Sequence, residues 1–201
     1  HQLGGSKEEY IELYNTFGAA NYSVLALDFR GHGESDLDYT QFTDEEWQKL
    51  VLDVQAARDF LAEQGIYKVV IVGESIGANA AVKFAAQDGK ILSLVLISPG
   101  EEYHGIKTLP YAPFIKNPVR IIAGIKDEYS ATSSTRIHNA LKGVKDIKLL
   151  QTDAHGRELL KSITAKQLVA EWVELYGDAK INKASETSSE TPSETTPENG
   201  N

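Results

Sequence analysis

The stretch "VVIVGESIGANAAVKF" (69–84) decides how this chain folds. Val69 to Val72 are apolar and β-branched without alternation, as in a strand covered on both faces, and from Ile76 onward small residues follow in a helical pattern. Between them lies Gly73-Glu74-Ser75-Ile76-Gly77. This is a G-x-S-x-G turn with a strand before it and a helix after it, so tight that its flanking positions tolerate little more than hydrogen. That context predicts Ser75 at the tip, its Oγ above the strand ends, with the N–H of Ile76 aimed at the same space from the start of the helix. A glycine-rich packing turn uses similar residues without that purpose. A phosphate loop would need a Gly-Lys-Ser/Thr run, which does not follow.

Outward from this turn, short apolar runs alternate with helical patterns. "YSVLALDF" (22–29), "KVVIVG" (68–73), "ILSLVLIS" (91–98), "VRIIAG" (119–124) and the weaker "DIKLLQ" (146–151) read as strands of a buried parallel sheet. Ser6 with Glu9, and Thr43 with Glu46, have the spacing of capping boxes. The second opens a helix carrying Trp47, Leu50, Val51, Val54 and Leu61, which Gly65 stops. Further helices are expected over 76–87, 132–142 and 157–176. Strand and helix alternate throughout, which predicts an α/β domain, a mainly parallel sheet with helices on both faces.

A serine at its ordinary pKa is a poor nucleophile, so Ser75 requires a base and a group to orient that base. Asp127 follows the strand 119–124 by three residues, and His155 lies in the loop after the last strand. Parallel strands share their carboxyl ends, so all three loops should meet at one edge of the sheet. The order Ser75, Asp127, His155 suits a nucleophile, an orienting carboxylate and a general base. Glu128 is a possible substitute for Asp127, and Asp153 is better read as shaping the turn before His155. His104 and His138 read as surface residues. No HExxH or paired ligand spacing points to a metal, and no cofactor is expected.

Taken together, these residues resemble the α/β-hydrolase superfamily, and in particular its lidless carboxylesterase and dienelactone-hydrolase-like members. "LDFRGHGES" (27–35) matches the superfamily's Asp-x-Arg-Gly-x-Gly-x-Ser turn, in which Arg30 and His32 read as structural. "HQLGGS" (1–6) looks like its His-Gly oxyanion loop with Gln2 in place of the usual glycine. The resemblance implies a three-layer α/β-hydrolase fold, with Leu3 and Ile76 as the backbone donors of an oxyanion hole and His1 and Gly4 shaping the loop. It also implies a buried strand ahead of that loop, between the counterparts of 22–29 and 68–73. The domain, 1–180, is therefore expected to lack N-terminal strands. Only twenty residues with four prolines separate the strand 91–98 from the next, a loop and not a large lid. Tyr103, Leu109, Tyr111 and Phe114 could border an open site there.

Composition narrows the function classes. The 201 residues carry a formal net charge of −9 with no basic cluster, which argues against nucleic acid or an anionic membrane as partner. No run reaches the roughly 18 apolar residues that span a bilayer, and no secretory leader is visible, so a soluble protein is expected. Its compartment is undetermined, cytoplasmic by default or exported. With no cysteine, disulfides and thiolate metal sites are excluded. In "SETSSETPSETTP" (185–197) every residue is Ser, Thr, Pro or Glu, which predicts a disordered tail over 181–201. The expected function is a serine hydrolase cleaving a small carboxylic ester through an acyl-enzyme. A peptidase or thioesterase of the same fold, or a non-catalytic fragment, are the alternatives. The sequence does not give the oligomeric state.

Overall fold

A computed structural model describes residues 1–177, so the tail expected over 181–201 lies outside the described residues. In chain order the elements are α1 (Ile11–Ala19), α2 (Asp44–Gln48), α3 (Leu50–Glu63), β1 (Val70–Glu74), α4 (Ile76–Gln87), β2 (Ser93–Ile97), β3 (Glu102–Tyr103), β4 (Ile106–Lys107), β5 (Val119–Gly124), α5 (Glu128–Ala140), β6 (Lys145–Leu150), α6 (Arg157–Leu160) and α7 (Ile163–Gly177). Short 3-10 turns at Lys7–Tyr10, Tyr39–Gln41 and Ala112–Phe114 complete the set.

The main sheet is wholly parallel, in the order β1-β2-β5-β6, with Val72 opposite Val95, Leu96 opposite Ile121 and Ile121 opposite Ile147. Successive side chains on its central strands point to opposite faces. Leu94, Leu96 and Ile121 pack with Val51 and Val54 of α3, Ala81 of α4 and Ile137 of α5. Val95, Ile97 and Ile122 pack with Leu13 and Phe17 of α1 and Val169 and Trp172 of α7. All six strand residues are fully buried, each worth at most about 1.5 to 3 kcal/mol of apolar burial. This is the three-layer arrangement that continuous apolar strands dictate.

The connection from β2 to β5 holds only the β3–β4 hairpin and one 3-10 turn, so no large lid covers the strand ends. Parallel strands thus expose a common carboxyl edge, where ligands bind in open α/β sheets.

Five local expectations are corrected, the first being the single helix expected over 157–176, which breaks at Lys161 and Ser162 into α6 and α7. Tyr22–Phe29, expected as a strand, joins no ladder. A cavity of about 220 Å³, lined by Tyr22 to Leu27 on one side and Lys68 to Gly73 on the other, separates it from β1. Apolarity alone does not make a strand; a partner within hydrogen-bonding distance does. The Ser6–Glu9 box does not close, because Ser6 makes no side-chain cap bond and the Glu9 carboxylate accepts instead from Arg157 Nη1 at 2.9 Å. The Thr43–Glu46 box does form, but its helix breaks at Lys49 into α2 and α3. The helix expected over 132–142 begins earlier, at Glu128, with Asp127 as its N-cap.

Candidate active site

Ser75 joins β1 to α4 with φ 50° and ψ −120°, a left-handed conformation for a residue with a side chain. Such a conformation costs on the order of 1 to 3 kcal/mol and persists only where its surroundings enforce it. Here they do. The Ser75 N–H donates to the Ile97 carbonyl of β2 at 2.8 Å. A Cβ on Gly73 would lie 2.8 Å from the Gly77 carbonyl oxygen, and one on Gly77 would lie 2.8 Å from that of His1. Only glycine lets the strand, the helix and the His1 loop approach this closely.

Asp127 sits after β5, held in a turn by its N–H to the Gly124 carbonyl (3.1 Å). His155 sits in the loop after β6, which runs close over β5. A Cβ on Gly124 would meet the carbonyl oxygens of Thr152 and Ala154 at 2.7 and 2.8 Å. The Gly156 N–H beside it donates to Ser98 Oγ at 3.0 Å. The structure thereby brings the three residues together: His155 Nε2 is 2.9 Å from Ser75 Oγ, and His155 Nδ1 is 2.6 Å from Asp127 Oδ2. The carboxylate accepts from Nδ1–H, which leaves the Nε2 lone pair facing the serine hydroxyl.

The donors expected for an oxyanion hole are placed less directly. Ile76 opens α4, so its N–H belongs to the first turn, which has no intrahelical acceptor. Leu3 lies in a turn closed by Gly5 N–H to the Gln2 carbonyl (3.0 Å), with Gly4 at φ 70°. No described residue partners the Leu3 N–H. Gln2 is anchored on both sides: its N–H donates to Glu74 Oε1 (3.1 Å), and its own Oε1 accepts from the Arg157 N–H (3.2 Å). The side chain that replaces the usual glycine is thus drawn toward the His155 loop.

The turn 27–35 holds this loop from behind. Phe29 N–H donates to His1 Nε2 at 2.9 Å, so Nδ1 carries the proton and donates to the Gln2 carbonyl at 2.8 Å. Lys7 N–H and Nζ both reach Asp28 at 2.7 Å. Burial alone would raise the Asp28 carboxyl, but the Lys7 ammonium and the N–H groups of Glu34 and Lys7 hold it below the usual carboxylate range. Arg30 forks onto Asp53 and so ties this turn to α3. Burial lowers the His32 imidazole, which stacks on Tyr39 at 4.3 Å.

Sequence reasoning missed two groups at the site. Ser130, fully buried, places its Oγ 3.1 Å from His155 Nδ1, beside the Asp127 carboxylate. Its spacing of three from the N-cap, where a cap accepts a backbone N–H (here 3.4 Å), was the available signal. Beneath the loop, Glu74 is fully buried, with Glu9 and Tyr10 close by. Burial pushes the Glu74 carboxyl up and Glu9 adds to the rise, against the opposing pull of the His1 amino group and the Gln2 N–H. Nothing in a single sequence marks that cluster. Among the described residues no cluster of His, Cys, Asp or Glu could hold a metal, and no helix is long and apolar enough to cross a membrane.

A parallel sheet carrying a serine on a strained strand-to-helix turn, with Asp and His in later loops of the same edge, defines an α/β-hydrolase. Comparison with known proteins narrows this. The chain belongs to the family described as "Serine aminopeptidase, S33", whose sequence profile matches residues 1–178. It is similar to a probable alcohol acetyltransferase of Cyberlindnera fabianii, 40% identical over 83 residues, 41% of this chain and 21% of that one. The match therefore spans about a fifth of that relative's length. Among solved structures, an esterase of Pyrococcus furiosus superposes with a TM-score of 0.69 at 22% identity, covering 84% of this chain and 77% of the other. A dienelactone hydrolase of Anabaena variabilis superposes with a TM-score of 0.70 at 20% identity, covering 86% and 82%.

Proposed function

We propose that this chain is a serine hydrolase that cleaves a small carboxylic ester through an acyl-enzyme. The carrying observation is the relay of short contacts, 2.9 Å from Ser75 Oγ to His155 Nε2 and 2.6 Å from His155 Nδ1 to Asp127. In this reading Ser75 attacks the ester carbonyl while His155 takes its proton. Asp127 fixes the imidazole tautomer and stabilises the imidazolium, and the N–H groups of Ile76 and Leu3 hold the oxyanion. Collapse expels the alcohol, protonated by His155. Water then repeats the sequence to release the acid. No metal or cofactor enters.

The short β2–β5 connection supports an open site and hence a small soluble substrate. The test is labelling of the purified chain with a fluorophosphonate, locating the adduct by peptide mass, followed by esters, thioesters and aminoacyl anilides that share an acyl group. The expected result is an adduct on Ser75, abolished in His155→Ala, and faster turnover of short-chain than long-chain esters. An adduct elsewhere would sink the proposal. Preferential cleavage of anilides, the activity suggested by the family's description, would replace the ester with an amide substrate.

A further inference from the structure

The roof of the site is Tyr103, and its hydroxyl lacks a short hydrogen bond. The residue sits in the β3–β4 hairpin, whose backbone is pinned on either side of it. Asn79, fully buried in α4, accepts from the Gly100 N–H at 3.0 Å and donates to the Ile106 carbonyl at 2.8 Å. Tyr129, two residues past Asp127, clamps Glu102: its hydroxyl donates to the Glu102 carbonyl at 2.7 Å and accepts from the Glu102 N–H at 3.1 Å. Thr108 Oγ1 donates to the Gly100 carbonyl at 2.9 Å.

The Tyr103 ring is wedged between Tyr129 (centroids 5.6 Å apart) and His155 (6.3 Å), edge to face with both. A Cβ on Gly100 would collide with both tyrosine rings. Yet the Tyr103 oxygen is 3.4 Å from Ser130 Oγ and 3.5 Å from the Ser98 carbonyl, both longer than a formed O–H···O bond. A rigidly placed phenol beside the imidazole, held only by these two long contacts, can turn its proton to a better acceptor. Burial pushes the phenol up, more than the hydroxyls of Ser130 and Ser75 pull it down, so it stays protonated at neutral pH.

We infer that Tyr103 is a further catalytic residue, donating its O–H to the ester's alcohol oxygen as that oxygen leaves. This rests on the reading given under Proposed function. As the tetrahedral intermediate collapses, the bond from the carbonyl carbon to that oxygen breaks and the electron pair goes to the oxygen. The proton it gains comes from His155 Nε2. Tyr103 keeps its own proton and lends only a hydrogen bond, which matters in proportion to the charge on the departing oxygen.

Tyr103→Phe keeps the ring and removes only the donor. The experiment compares kcat/KM of the wild-type chain and this variant for p-nitrophenyl acetate, phenyl acetate and ethyl acetate, which share an acyl group and differ in leaving alcohol. The variant should lose about tenfold to a hundredfold on ethyl acetate and less than about threefold on p-nitrophenyl acetate, whose leaving oxygen needs little help. An equal loss on all three, or none on any, overturns the inference and leaves Ser75 labelling, and the broader reading, intact. If the wild-type chain turns over no ester and takes no label, the broader reading fails, and the inference with it.

Discussion

β1 and β2 are neighbours in one sheet, paired in register from Val70 with Ser93 to Glu74 with Ile97, but their surroundings differ. Every residue of β2 is buried, whereas Val70, Ile71 and Val72 of β1 are only half-buried and line the cavity beside Tyr22–Leu27. At the carboxyl end the contrast disappears: Gly73 and Glu74 are as buried as anything in β2. The elbow is clamped by α4, by the β2 ladder and by the His1–Gly5 turn. The relay is therefore built on the well-packed side of the molecule, while the sheet's other side keeps an open seam a few residues away.

The largest effect should come from the relay itself. Asp127→Asn retains an N-cap of equal quality for α5, so stability should hold, but an amide no longer fixes the Nδ1–H tautomer. Under the proposed mechanism kcat/KM for p-nitrophenyl acetate should fall by about 10³- to 10⁴-fold with an unchanged melting temperature. Loss of the fold instead would show that the cap outweighs the catalytic task.

The packing contrast can be broken next. Leu96→Ala in β2 should cost about 2 to 5 kcal/mol in urea unfolding, while Val72→Ala, which already borders empty space, should cost about 1 kcal/mol or less. Equal losses would mean that the seam is closed in solution. Filling the seam is the converse trial. His1 is among the residues that line it, so an apolar strand of about six residues encoded directly ahead of His1 is expected to enter it beside β1. That addition should raise stability by about 2 kcal/mol and abolish binding of a hydrophobic dye. Unchanged dye binding would show that the seam does not accept a strand.

The smallest effect concerns Glu74. Its carboxyl is raised above the ordinary 4.5, so the folded chain holds that proton more tightly than the unfolded chain does. The corresponding stability is complete below pH 4.5 and is lost as pH rises through the folded value. Melting temperatures across this window should fall with pH in the wild-type chain and flatten in Glu74→Gln. Parallel curves would assign the fall to another group.

How much of this was legible follows from where the information lies. Val119–Gly124 is found where the sequence places it because a central parallel strand is apolar throughout and needs no partner's identity to be recognised. Ser75, Asp127 and His155 could be brought together on paper because parallel strands send their following loops to one edge. Glu9 could not be read correctly: its partner, Arg157, is 148 residues away, and that ion pair overrides a local capping motif. The start of α5 was missed because Glu128 to Ala131 lack an apolar period, and the cap that starts the helix is the same Asp127 assigned to the relay. Tyr22–Phe29 carries a strand's composition but joins no ladder. Tyr103 and Ser130 meet His155 only in the folded hairpin and cap: the spacing from Asp127 marks Ser130 as a cap partner but not as a neighbour of the imidazole.

Asp127 works with both oxygens at once, Oδ1 toward the Ser130 N–H at the head of α5 and Oδ2 toward the imidazole. The position of the imidazole is thereby indexed to the first turn of a helix. Positional error in the relay is set by the stiffness of α5 on β5, not by the wandering of a loop. A carboxylate one methylene longer, as in Asp127→Glu, could serve one oxygen's partner only by displacing the other's. Two unrelated tasks, starting a helix and holding an imidazole in place, thus share one tolerance.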